Sequence, residues 1–273
     1  ALQRRAAETL TLEDPALLRA GLACLFDAPE ATTAGGGVPL DRQRLAAAMA
    51  MLRGLTVISG GPGTGKTYTI RSILTVLFAQ WAAGRRGEGL GGEPPRVALA
   101  APTGKAAARM KGSLDAGIAG FLARVTPALG GLARTDELER FLAELKPSTL
   151  HRLLGWRPDT PTRFRHDADN PLPFDVVVVD ETSMVDLALM SKLVAAIPPS
   201  ARLVLLGDKH QLASVEAGTV LADVCAGVGL GRPTLSRGFV AEVQGAVGID
   251  LAPHVDVIEA HTLGDCIVQL NKN

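Results

Sequence analysis

The chain has 273 residues, and its 28 Lys+Arg balance 28 Asp+Glu to a formal net charge of zero. With 47% apolar and 21% charged residues, the composition excludes disorder as the main state. It also excludes a globally basic nucleic-acid coat, though not a local basic groove. The three cysteines, Cys24, Cys225 and Cys266, are far apart and form no CxxC, which argues against a disulfide scaffold or zinc site and for a reducing compartment. No apolar run approaches the ~18–20 residues of a membrane span. The first residues lack both a Met and the apolar stretch of a signal peptide, so the chain reads as a trimmed piece of something longer.

In chain order, residues 1–35 read as a helical lead-in, with Thr11 and Asp14 as caps and 31–37 as a Gly-rich joint. From 36 to 226 short apolar runs alternate with helical patterns. Helices are predicted at 41–53, 66–83, 103–112, 135–146 and 186–196, and strands at 55–59, 96–101, 174–179 and 202–206. Asp41 fits an N-cap and Gly54 a C′ glycine; Gly84 fits the end of helix 66–83, with 84–95 as a surface loop. Wholly apolar strands alternating with helices predict an α/β fold: a mostly parallel sheet with helices on both faces. Residues 227–273 read as an irregular connector in which only 266–270 resembles a strand.

Gly60-Gly61-Pro62-Gly63-Thr64-Gly65-Lys66-Thr67 follows a predicted strand and opens a predicted helix, the context a P-loop requires. Its glycines let backbone N–H groups turn inward around phosphate, and the helix N-terminus adds positive charge. Lys66 is placed to reach the β- and γ-phosphates of ATP, and Thr67 to ligate Mg²⁺. Tyr68, next in sequence, is counted among the nucleotide-binding residues.

The apolar strand Phe174–Val179 delivers Asp180 and Glu181 at its carboxyl end, where ligands sit in open α/β sheets. Asp180 suits a Mg²⁺ site and Glu181 the orientation or deprotonation of an attacking water. Without the P-loop, the same pair fits an acidic helix start equally well. Gln211, after the strand ending at Leu206, suits a γ-phosphate sensor, but taken alone it fits an ordinary loop residue better. Pro102, Thr103 and Lys105, with Arg109 and Lys111 following, and Thr149, His151 and Arg152 combine hydroxyls, helix starts and cations suited to a nucleic-acid backbone. Capped helices with solvated charges account for them as well.

Together these blocks resemble the superfamily 1 DNA helicases, most closely the RecD type. The resemblance is carried by Gly60–Thr67, Ala101–Met110, Thr149–Gly155, Val177–Leu187 and Leu206–Gly218, and covers about residues 40–226. It implies a P-loop NTPase of the RecA-like kind, the first motor domain of a 5′→3′ DNA helicase acting in break repair and recombination. It further implies ATP and Mg²⁺ as cofactors, Gln43 as an adenine contact, and a strand-separating β-hairpin at 156–171. The implied partners are single-stranded DNA and the beta and gamma subunits of exodeoxyribonuclease V, in a bacterial cytoplasm. In the family a second motor domain supplies arginines to the ATP site; none of its motifs is found here. The expectation is therefore weak ATP binding, little turnover and no unwinding by this piece, with any nuclease residing in a partner. A free-standing RecD-like helicase, a non-motor P-loop switch and a small-molecule kinase are the other readings of the same residues.

Overall fold

A computed structural model describes residues 2–26, 39–88, 93–125, 135–159, 163–209, 211, 220–226 and 232–271. The joint read at 31–37 lies outside them. The elements are α1 (Leu2–Ala7), α2 (Pro15–Leu25), α3 (Arg42–Leu52), β1 (Leu55–Ser59), α4 (Lys66–Glu88), β2 (Val97–Ala101), α5 (Gly104–Asp115), α6 (Ile118–Val125), α7 (Thr135–Glu144), β3 (Ser148–Thr149) and α8 (Leu150–Leu154). They continue with β4 (Val176–Val179), α9 (Leu187–Ala196), β5 (Arg202–Gly207), α10 (Val220–Ala226), β6 (Thr234–Ser236), α11 (Arg237–Val247), β7 (Asp256–Ile258) and β8 (Ile267–Gln269).

β-branched and leucine runs form the strands because both of their faces are buried. In β4, Val176 and Val178 point to one helical layer while Val177 and Val179 point to the other. Val204 and Leu206 alternate with Leu203 and Leu205 in the same way. One layer holds α2 to α7 and α11; the opposite layer holds α1, α8, α9 and α10. The six strands lie in the order β3-β2-β4-β5-β1-β8, every pair parallel. The parallel sheet with helices on both faces is thus as expected.

Several boundaries differ from the sequence reading. Asp14 caps α2 by accepting Leu17 N at 2.9 Å, and Thr11 caps nothing. Asp41 caps α3, but that helix ends on extended Arg53 and not on a left-handed Gly54. α4 runs through Gly84 to Glu88, because packing of its buried face against α2 and α3 outweighs the roughly 1 kcal/mol cost of an internal glycine. In the insertion at 156–171, the described residues show one isolated antiparallel bridge, Trp156 to Phe164, and no hairpin ladder. The stretch read as an irregular connector holds α11, whose Phe239, Val240, Val243 and Val247 are buried, and β8, which completes the main sheet beside β1. Its β6 and β7 pair in parallel as a small second sheet.

Arginines, two of them buried and Arg19 exposed, close helix carboxyl ends, where free carbonyls concentrate negative charge. Arg5 of α1, 4% exposed, donates to Ile197 O, Pro198 O and Ala201 O behind α9 at 2.5, 2.8 and 2.9 Å. Arg71 of α4 donates to Ser113 O, Leu114 O and Ala116 O at the end of α5. Arg19 donates to Gly245 O near the end of α11.

Asp265 joins the two ends of the chain. Fully buried, it accepts Ser236 N and Ser236 Oγ, each at 2.7 Å, and the His261 ring at Nδ1. His261 Nε2 and Cys266 Sγ both lie against Ala6 O of α1, at 3.1 and 3.2 Å. Burial pushes the Cys266 thiol up to about 12, so it stays protonated and able to donate. Asp265→Ala leaves buried donors without partners and is expected to cost about 3 kcal/mol. Urea unfolding measures this; an unchanged midpoint would show that the cluster does not hold the two ends together.

Candidate functional site

Because all six strands are parallel, their carboxyl ends share one edge, and every motif-bearing loop emerges there. β1 ends at the P-loop and α4 begins with Lys66. Gly63 and Gly65 have φ of +78° and +85°, the left-handed region that turns successive N–H groups inward. At φ of +85° a side chain on Gly65 would be strained, and its Cβ would also sit 2.1 Å from Gln43 Nε2 and displace that amide. Gln43 Nε2 itself donates to Thr64 O at 2.9 Å, which places this side chain on the outer wall of the loop. Lys66 Nζ donates to Gly60 O at 2.5 Å and Gly61 O at 3.1 Å, and Thr64 Oγ1 to Gly61 O at 2.9 Å. Thr67 sits half-buried in the first turn of α4.

Tyr68 is placed in packing instead. Its hydroxyl donates to Leu25 O, and its ring meets Phe26 and Phe121 edge-on at 5.7 and 5.8 Å, with the Arg124 guanidinium over it at 5.4 Å. Those contacts tie α2 and α6 to α4, a role that motif position alone did not reveal.

β4 ends at Asp180, whose Oδ1 accepts Glu181 N at 2.8 Å. Burial raises the Asp180 carboxyl above the ordinary aspartate range. The Glu181 N–H opposes that rise, the Glu181 charge adds to it, and Lys66 and Arg109 oppose it more weakly. Glu181 has φ of +54°, the only described non-glycine residue with positive φ. Its carboxylate is 3.9 Å from the Arg109 guanidinium of α5. Thr182 Oγ1 donates to Leu206 O at 2.7 Å, fixing the turn after β4 onto β5.

β5 leads to Asp208, a buried carboxylate 3.6 Å from where a Cβ on Gly61 would stand. The sequence reading missed Asp208 as a site residue, although its place at a strand's carboxyl end is the signal that found Asp180. Lys209 Nζ donates to Gln269 Oε1 of β8 at 2.8 Å. Gln211 is exposed; Ser183 Oγ donates to its Oε1 at 3.4 Å, so it stands beside the turn that follows Glu181. His210 and residues 212–218 lie outside the described residues.

At the other end of the same edge, Thr103 caps α5 by accepting Ala106 N, and Thr149 caps α8 by accepting Arg152 N, each at 3.2 Å. A cleft of about 750 Å³ runs between α5 and α8, with Lys111, Lys146, Thr149, His151 and Arg152 among its walls. Pro102 and Thr103 lie on the turn between β2 and α5 beside it, and Lys105 is in the first turn of α5. Among the described residues no three His, Cys, Asp or Glu side chains converge as a metal cage.

Fold and loop geometry together define a P-loop nucleotide-binding domain of RecA-like architecture. A protein-family model described as an AAA domain matches residues 43–217. The RecBCD enzyme subunit RecD of Mycolicibacterium smegmatis is 50% identical over 210 residues, 76% of this chain and 33% of that protein. The subunit of the same name from Haemophilus influenzae is 41% identical over 187 residues, 67% of this chain and 26% of that one. The ATP-dependent RecD2 DNA helicase of Deinococcus radiodurans is 40% identical over 167 residues, 61% and 17% of the respective chains. The chain belongs to this AAA-domain family, on its RecD-type superfamily 1 helicase branch. It spans about a third or less of the length of the relatives it matches.

The raised Asp180 carboxyl has a stability consequence with a fixed sign. A carboxyl whose folded pKa is raised binds protons more tightly folded than unfolded, so its contribution favours the fold in acid and is lost as pH rises through the folded value. Asp180→Asn keeps the oxygen that accepts Glu181 N and removes the buried charge. The variant is expected to be more stable than the native chain at pH 7.5, with the gain vanishing below the ordinary aspartate value of 3.8. Urea midpoints at neutral and acid pH test this; a native chain as stable as Asp180→Asn at pH 7.5 would contradict it.

Proposed function

We propose that the chain is the ATP-binding motor domain of a 5′→3′ DNA helicase subunit, working in a RecBCD-type complex with its beta and gamma partner subunits on single-stranded DNA. One observation carries this reading: a single sheet edge presents a glycine-closed P-loop, a strand-end acidic pair and a basic cleft side by side. The RecD and RecD2 names of the relatives support it.

The residues present fit Mg²⁺ and ATP. The positive-φ glycines and the start of α4 offer N–H groups to phosphate, and Lys66 leaves its own loop carbonyls to meet the β- and γ-phosphates. Thr67 and Asp180 would hold Mg²⁺, which when bound offsets the charge on the phosphates. Gln43, whose Nε2 donates to Thr64 O beside the loop, takes the adenine contact that the resemblance implies. Glu181 orients a water and accepts its proton, with Arg109 holding the carboxylate. Gln211, beside Ser183, is placed to report γ-phosphate to the turn after β4. Pro102, Thr103, Lys105, Thr149, His151 and Arg152 grip the DNA backbone, so ATP and DNA occupy opposite ends of one edge.

Titration with a fluorescent ATP analogue and Mg²⁺ tests the nucleotide half. Lys66→Ala is expected to weaken binding at least about 10-fold, since a charge-assisted contact is worth about 1.5–3 kcal/mol. Equal binding by both proteins would sink the assignment. The DNA half is tested by a salt series with an oligothymidylate. Arg152→Ala is expected to reduce the slope of log affinity against log salt by about 1, the loss of one phosphate contact. An unchanged slope would remove Arg152 from the track.

A further inference from the structure

Trp156 has no place in the nucleotide site or in the phosphate contacts, yet the residue is 44% exposed. It is the one aromatic among the exposed large apolar side chains of the described residues. Such exposure forfeits part of the burial that a tryptophan ordinarily supplies to a core. The ring stands in the wall of the cleft between α5 and α8. Lys146 and Arg152 line that cleft as cations beside His151, and Lys111, also in its wall, is paired with Asp115 at 2.8 Å, so the cleft offers positive charge to a polyanion.

The backbone beneath the ring is fixed. Gly155, with φ of +72°, ends α8 in the left-handed region, and a Cβ there would come within 2.7 Å of Arg165 Cβ. Trp156 N donates to His151 O at 2.8 Å, and Trp156 bridges to Phe164, whose ring stands 5.8 Å from the His151 imidazole. Two turns of chain are thus locked together to hold one exposed indole beside a row of cations. A rigid aromatic face flanked by cations is the arrangement that stacks an unpaired base while its phosphates are neutralised. In a duplex both faces of a base are already stacked, so the platform selects single strands.

We propose that Trp156 is a stacking platform for one unpaired base of single-stranded nucleic acid, a positioning residue beyond the phosphate contacts. This rests on the DNA reading of the cleft given above. The contact is sequence-tolerant, because every base offers a π face, and it adds affinity without adding a phosphate contact.

The chain has two tryptophans, and the other, Trp81, packs against Phe78 at a ring separation of 5.1 Å. Quenching of tryptophan emission by an oligothymidylate therefore reports Trp156. The native chain and Trp81→Phe are expected to be quenched, and Trp156→Phe to keep a constant emission. Trp156→Ala should bind about 5- to 100-fold more weakly, with the same slope of log affinity against log salt and an unchanged urea midpoint. An oligonucleotide of the same length with abasic positions should erase the difference between native and Trp156→Ala. Salt-steep binding with no quenching and equal affinity of native and Trp156→Ala would overturn the platform while leaving the DNA track intact. No binding of the oligothymidylate by the native chain at low salt would bring down the DNA reading, and the platform with it.

Discussion

Everything at the functional edge depends on one constraint, the parallel direction of all six strands in the main sheet. A parallel ladder sends every strand's carboxyl end to the same side, and each return to the start of the next strand must cross a face as a helix. The sheet order then divides the edge. β1, β5 and β4 are consecutive neighbours, so the P-loop, Asp208 and the Asp180–Glu181 pair converge. β2 and β3 lie on the far side of β4, and their loops form the basic cleft. β4 stands between the two halves, and Arg109, on the helix that follows β2, reaches across to Glu181. That ion pair, at 3.9 Å, is one link between the two ends, although its exposure to water limits its energy.

The helical layers are held by a different device. A crossover fold has many helix ends, and each leaves carbonyls that need partners as the layers pack. Arginines with long stems satisfy them from neighbouring elements: Arg5 at α9, Arg71 at α5 and Arg19 at α11. The same contacts bring the first helix onto the sheet. α1 meets α9 through Arg5 and the Asp265 cluster through Ala6 O, so the lead-in and the last strand close over one another. α2 is likewise part of the main core, with Leu18 and Leu22 fully buried.

How much was legible in the sequence follows from how local each signal is. β1, β2, β4 and β5 were readable because a buried parallel strand must be apolar on both faces. β3 was not, since Ser148 and Thr149 pair with β2 over two residues only and carry no apolar run. α11 was hidden by Gly238 and Gly245, although Phe239, Val243 and Val247 repeat at helical spacing. Gly84 misled in the same way, because a propensity of about 1 kcal/mol yields to tertiary packing. At the site, the P-loop and the acidic pair were legible because chemistry fixes residue type and spacing together. Tyr68 and Trp156 were not, because the direction of a side chain is set by what packs around it. Tyr68 turned into the Phe26–Phe121 cluster, and Trp156 turned outward.

The least comfortable local features of the domain meet at the end of β4. Asp180 is a buried carboxyl whose ionised form the fold disfavours, and Glu181 is the one described non-glycine residue in the left-handed region. Strain and desolvation of order 1–3 kcal/mol each survive only where the surroundings over-determine the geometry. Here the surroundings do so: Asp180 N is held by Ala100 O at 2.9 Å, Thr182 by Leu206 O, and the strand before them is buried on both faces. A rigid sheet thus forces two carboxylates into adjacent, unfavourable positions facing the P-loop. A divalent cation held by Asp180 would offset the carboxylate charge that burial disfavours.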